Sequence, residues 1–152
     1  MRLPPLRKQS GAALVEFGLV ASILFLLLAG VWEFGRAFAY YDALSKGTRD
    51  GARYMSVAKK ANINSSAVGT AKSIVVAAAN AAKVPGFASS NVVVTCLDAS
   101  YNDSSCIDGT APGGVRVEIT GYAVNIGQTI PLIGNAVRTI NLTPRTTMRY
   151  MQ

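Results

Sequence analysis

Among the residues of this chain that could do ionic chemistry, one stands in an unexpected place. Glu16 is the only charge in the 21 residues from 12 to 32. A carboxylate at the centre of a bilayer costs roughly 2.5–3.5 kcal/mol on insertion scales, and less near an edge. In the first turns of a helix the dipole returns about 0.3–1 kcal/mol to a negative charge. Glu16 is therefore tolerable where it lies, but packing alone does not explain it.

The rest of the chemical inventory is narrow. The chain has no histidine, which removes the commonest general base and metal ligand and excludes Ser-His-Asp, Cys-His and zinc-finger arrangements. Cys96 and Cys106 are too few for a structural zinc site. No GxxxxGK[ST] or GxGxxG phosphate loop occurs. Asp98, Asn102, Asp103 and Asp108 cluster without the EF-hand spacing and read as solvated side chains. We expect no catalytic residue, no metal and no cofactor.

The formal net charge is +7, but Arg2, Arg7 and Lys8 precede Gly11 and every acid follows it. The remaining cations are scattered or lie on one helix, and no nucleic-acid-binding signature accompanies them. Nucleic acid is not an expected partner.

The elements follow from periodicity. At 152 residues and 50% apolar content, the chain has one domain's worth of length. Residues 1–11 are short, basic and contain Pro4 and Pro5. Residues 12–32 would span about 31 Å as a helix, close to the hydrocarbon thickness of a membrane. The helical pattern continues to about Val57, with Phe34, Ala37, Phe38, Tyr41, Leu44, Thr48, Ala52 and Met55 as one apolar face. A second helix starts near Asn64 or Ser65, read as its cap, and runs to Lys83, before Pro85 and Gly86.

Strands follow. "NVVVTCL" is the first. "GGVRVEITGYAVNI" alternates through Val115, Val117 and Ile119 and then, in a new phase, Tyr122, Val124 and Ile126, with Gly121 at the change as a bulge requires. "RTINLTPRTTMRYM" keeps Ile140, Leu142, Met148 and Tyr150 in phase, and Pro144 puts that strand at an edge or kinks it. The expected fold is α+β: a long N-terminal membrane helix, a second helix and a small antiparallel sheet. Cys96 and Cys106 flank "LDASYNDSS", whose composition is that of an exposed turn. They are either two unpaired thiols or a bridge that closes a small loop, worth about 3 kcal/mol by chain entropy. The bridge is favoured if this half lies outside the cytoplasm.

The N-terminus admits three readings. A signal peptide cut after Ala39 would release a soluble binding module, although the apolar run exceeds the usual h-region. An uncleaved single-pass anchor is the second reading. The third rests on "SGAALVEF", which resembles the processing site of type IV prepilins. Within that superfamily, "ALVEF", "EFGR" from Glu33 to Arg36 and "GTRDGARY" from Gly47 to Tyr54 are together similar to the TadE-like family of pseudopilins of the tight adherence (Tad, or Flp) pilus.

The resemblance implies cleavage between Gly11 and Ala12 by a prepilin peptidase, and an assembly role for Glu16 and Phe17. Glu16 would neutralise the new α-amino group of a neighbouring subunit, because an unpaired ion is costly in an apolar environment. The segments would be a leader (1–11), a long helix (12–57, spanning the membrane at 12–32) and an extracytoplasmic α+β domain (58–152). The protein would sit in the bacterial cytoplasmic membrane with its N-terminus inside, as a minor pilin taking part in assembly and surface adherence. Its partners would be other pilins, the membrane and the pilus assembly platform. Gly18, Ala21, Ser22, Ala29 and Gly30 would let neighbouring helices approach closely. Glu33, Arg36, Arg49, Asp50 and Arg53 read either as exposed charge pairs, worth a few tenths of a kcal/mol, or as a docking surface for other pilus components.

Overall fold

The computed structural model describes residues 10–127 and 138–152. The N-terminal cations Arg2, Arg7 and Lys8 lie outside the described residues. Helix α1 (Ser10–Ser56) is a single 47-residue rod, about 70 Å long at 1.5 Å per residue. No proline interrupts it. It is followed by a 3₁₀ turn (Lys60–Asn62), a π turn (Ile63–Ala67) and helix α2 (Val68–Ala81). The strands are β1 (Val92–Leu97), β2 (Asp103–Ser104), β3 (Gly114–Ile119), β4 (Ala123–Ile126), β5 (Arg138–Asn141) and β6 (Arg145–Arg149). The fold is α+β, as the periodicities predict.

β1, β2, β3 and β6 form one antiparallel sheet in the order β2-β1-β3-β6, and β4 pairs with β5. One face of the larger sheet packs on both helices. Val92, Val117 and Ile119 meet Leu44, Ala52, Val75 and Ala79, while Cys96 and Val115 meet Met55, Ile63, Ala67, Ala71 and Tyr150. Alternation along each strand puts these residues on one side.

Gly121 takes φ +65°, open to glycine at no steric cost. The Ile119 N–H donates to the Pro144 carbonyl at 3.0 Å and the Leu142 N–H to the Tyr122 carbonyl at 2.9 Å. Thr120 and Gly121 therefore oppose Thr143 alone, which is a bulge. It flips the phase so that Tyr122, Val124 and Ile126 are again buried. Asn91 holds this bend, its Nδ2 donating to the Thr120 and Gly121 carbonyls at 3.4 Å each. Pro144 interrupts the run between β5 and β6, and both strands lie at sheet edges.

Three expectations are corrected. Phe34, Phe38 and Tyr41 are not on the buried face of α1: Phe38 is 75% exposed, and burial begins with Glu33 and Ala37 and continues through Leu44, Gly47, Thr48, Gly51, Ala52 and Met55. The aromatic residues prolong the exposed surface of the apolar run instead. Neither Asn64 nor Ser65 caps the second helix with its side chain, because an acceptor arrives from a distant loop. The "LDASYNDSS" segment is not only a turn: it contains β2, whose Asp103 and Ser104 pair with Leu97 and Cys96.

Candidate functional site: the N-terminal helix and its junction with the domain

Among the described residues nothing covers the helix around the apolar run. Leu14, Val15, Phe17, Leu19, Ile23, Phe25, Leu27, Val31 and Trp32 are all exposed. The most apolar 18-residue stretch of Gly11–Ser56 has a mean hydropathy of 2.4, and none of it is buried within the chain. Among the described residues, this is one helix long and apolar enough to cross a membrane. Core helices of water-soluble domains bury such a surface, so an apolar solvent or other helices must cover this one.

Gly11 and Ala12 are exposed in the first turn of α1, and Glu16 and Phe17 lie one turn further on, also exposed. Ala12 and Glu16 are four residues apart and so share a helix face, about 6 Å apart along the axis. Gly18 and Gly30 have open space where a β-carbon would stand. The Ser22 hydroxyl is occupied within the helix, donating to the Gly18 carbonyl at 2.7 Å.

At the end of the apolar run the helix meets the domain. Glu33 is 1% exposed, and a guanidinium N–H of half-buried Arg36 donates to its Oε2 at 2.7 Å. Helical spacing alone suggests an exposed pair. The fold buries it, because Glu33 lies on the same side of α1 as Ala37 and Leu44, the side the domain covers.

The "GTRDGARY" segment divides cleanly. Gly47, Thr48, Gly51 and Ala52 face inward, while Arg49, Asp50 and Arg53 are exposed. The inward set is where α1 crosses α2. A β-carbon on Gly47 would stand 3.1 Å from Ala78 Cβ, and one on Gly51 3.2 Å from the Ala71 carbonyl oxygen. Thr48 and Thr146 join α1 to β6 through their hydroxyls at 3.2 Å. Arg49, Asp50 and Arg53 form no ion pair among the described residues; Lys46 bonds Asp42 at 2.6 Å.

The acidic loop is held by internal bonds. Cys96 and Cys106 form a disulfide. Asp98 accepts backbone N–H groups of Ser100 at 2.8 Å and Asn102 at 2.9 Å, with the Asn102 bond the main cause of its lowered pKa. Asp103 pairs with Arg116. Asp108 reaches the start of the second helical segment and accepts the N–H groups of Asn64 at 2.7 Å and Ser65 at 3.2 Å. These bonds, that of Asn64 first, hold its carboxyl below the usual range. Free N–H groups at a helix start attract a carboxylate from wherever the fold brings one. Among the described residues no group of three or more potential ligands is placed to hold a metal.

Sequence reasoning missed Glu33 as a buried group, the Gly47 and Gly51 crossing, and Asp108 as a cap. The two glycines four residues apart were the only available signal for any of these.

Together these features define a class: a single-pass helix carrying a small, disulfide-closed α+β domain at its C-terminal end. Residues 11–53 match the family model for TadE-like proteins. This segment holds "ALVEF", "EFGR" and all of "GTRDGARY" but its last residue, Tyr54, so the TadE-like resemblance is shown over it. That family suggests a protein associated with the Tad pilus, and such proteins are structural rather than enzymatic. No curated protein and no solved structure matches the chain.

Proposed function

We propose that this protein is a minor pilin or pseudopilin of a Tad-type pilus. It would be cut by the prepilin peptidase between Gly11 and Ala12 and take part in pilus assembly and surface adherence. The observation that carries the reading is the bare apolar rod of residues 12–32, with Glu16 as its one charge, inside a segment that matches TadE-like proteins.

Cleavage at Gly11 would put an ammonium at Ala12, one helical turn from Glu16. On a lone helix in lipid both charges are costly; beside a second helix shifted by about one turn, each finds its opposite. Glu16 thus sets register between subunits. Gly18, Ala21, Ser22, Ala29 and Gly30 let the helices come close. The domain faces the periplasm or exterior, where the Cys96–Cys106 bridge persists. Arg49, Asp50 and Arg53 are candidate contacts to other pilus components.

Release as a soluble module after Ala39 fits less well. Such a cut would strip off Glu33 and Ala37, both of which are buried in the folded chain.

The test is the N-terminal residue of the mature protein, read by sequencing or intact mass from cells with and without the prepilin peptidase. Ala12, appearing only when the peptidase is present, supports the proposal; Tyr40 or an uncut Met1 sinks it. Glu16→Ala should then leave the mature protein detectable but abolish or strongly reduce surface pili.

A further inference from the structure

Among the described residues the larger sheet ends on β6, and no strand pairs with its outer edge. In the pairing with β3, the Pro144 carbonyl accepts from Ile119 and the Tyr150 N–H donates to the Gly113 carbonyl at 3.3 Å. With the register Val117↔Thr146 and Val115↔Met148, the even-numbered residues of β6 spend their backbone groups on β3. Antiparallel pairs alternate between bonded and non-bonded positions, so the N–H and C=O groups of Arg145, Thr147 and Arg149 point away from the sheet. Among the described residues none of these groups has a backbone or side-chain partner. β5 has the same parity: Val124↔Ile140 and Ile126↔Arg138 follow from the Leu142–Tyr122 bond, leaving Thr139 and Asn141 pointing outward.

The side chains along this edge are cationic. Arg138, Arg145 and Arg149 are exposed and make no ion pair among the described residues. Glu118 lies opposite Arg145 in the register, but its Oε2 is 3.6 Å from Nε of Arg116. Arg145 and Arg149 share the sheet face away from the helices, about 14 Å apart at strand spacing.

We infer that the open edge of β6 receives an extended, acidic segment of a partner protein as a fifth strand of the sheet. Backbone groups of Arg145, Thr147 and Arg149 supply main-chain hydrogen bonds, and carboxylates at alternate positions of the incoming strand meet Arg145 and Arg149. A second copy of this chain is the wrong occupant. An antiparallel β6–β6 pair centred on Thr147 sets Arg145 opposite Arg149 twice, and like charges directly opposite are destabilising. Arginines on the edge therefore discourage self-pairing and leave an acidic strand as the complement. This inference is independent of the pilus reading and would survive its failure.

The experiment uses the full chain in detergent micelles and a fluorescent, capped peptide of alternating valine and glutamate. Binding is followed by anisotropy and by amide hydrogen exchange. The expected result is saturable binding, with exchange slowed at Arg145, Thr147 and Arg149. The lysine version of the peptide and a version N-methylated at alternate residues should each bind at least tenfold more weakly. Thr147→Pro removes an outward N–H without touching the bonds to β3 and should likewise weaken binding at least tenfold; the N-methylated peptide probes the same hydrogen bonds if that variant does not fold. Equal binding of the N-methylated peptide would mean charge attraction without strand addition and overturn the inference. So would failure of the glutamate peptide to bind.

Discussion

Gly51 stands where a β-carbon would come within 3.2 Å of the Ala71 carbonyl oxygen and 3.3 Å of Val75 Cγ2. The crossing of α1 over α2 is therefore set by the absence of a side chain. Gly47, one turn earlier, stands against Ala78 and Val75 in the same way. Through this crossing the domain is fixed to the long apolar helix, so the orientation of one controls the other.

Substitution at the crossing should destabilise despite better helix propensity. Alanine for glycine gains about 1 kcal/mol in a helix, whereas overpacking a close contact costs about 1–3 kcal/mol. Gly51→Ala should lose about 1 kcal/mol net and Gly51→Val considerably more, measured by thermal unfolding of the full chain in detergent. Gly69, with nothing within 4 Å of its would-be β-carbon, is the control: Gly69→Ala should be neutral or stabilising.

Loss of the bridge should cost stability without changing the fold. Cys96 and Cys106 are 10 residues apart, and the chain-entropy model credits a loop of that size with about 3 kcal/mol. Cys96→Ala with Cys106→Ala should lower the denaturant midpoint accordingly. Thiol reduction of the native chain should produce a shift of the same sign, with far-UV circular dichroism unchanged below the transition.

The Asp108 cap should make the domain acid-sensitive. Its carboxyl is lowered from an ordinary 3.8 by the N–H groups of Asn64 and Ser65. A depressed folded value contributes stability that is present above the unfolded value and lost as pH falls through the folded one. Between neutral pH and about pH 5 this contribution should be constant; below pH 4 it should fade. Asp108→Ala should remove that part of the acid dependence, read from unfolding midpoints over an acid series. Asp98, lowered by its bonds to Asn102 and Ser100, adds to the slope and remains in the variant.

Tyr150 gives the opposite sign. Its buried hydroxyl donates to the Ala58 carbonyl at 2.5 Å, and burial raises its pKa above the ordinary 10. A raised value gives stability that is complete below pH 10 and lost as pH rises through the folded value. Tyr150→Phe should cost about 1–3 kcal/mol, the penalty for leaving a buried acceptor unpaired. An ultraviolet titration of tyrosinate should show one alkaline step fewer in the variant.

Much of the architecture is legible in local pattern. The run of residues 12–32, with Glu16 as its one charge, dictates a helix that needs apolar surroundings on nearly every side. Strict alternation in Val115, Val117 and Ile119 marks a half-buried strand, and its phase change at Gly121 predicts a bulge, since only an added residue can turn the same side inward again. The family resemblance is also local: it lies in contiguous residues around Glu16, Glu33 and Gly51.

What periodicity cannot supply is which of two chemically similar faces is covered, or what arrives from a distance. Phe38 and Leu44 are both apolar residues of one amphipathic helix, yet only Leu44 is buried, because α2 and the sheet dock on its side. Glu33 reads as an ordinary exposed carboxylate until the domain covers it. Asp108 reads as loop decoration until the chain brings it to Asn64, 44 residues away. The open edge of β6 depends on strand order, which alternation within a strand does not encode. Local hydrophobic spacing thus determined the elements of this protein. Docking between residues far apart in the chain decided which charges are buried, which glycines are indispensable and which strand edge is left open among the described residues.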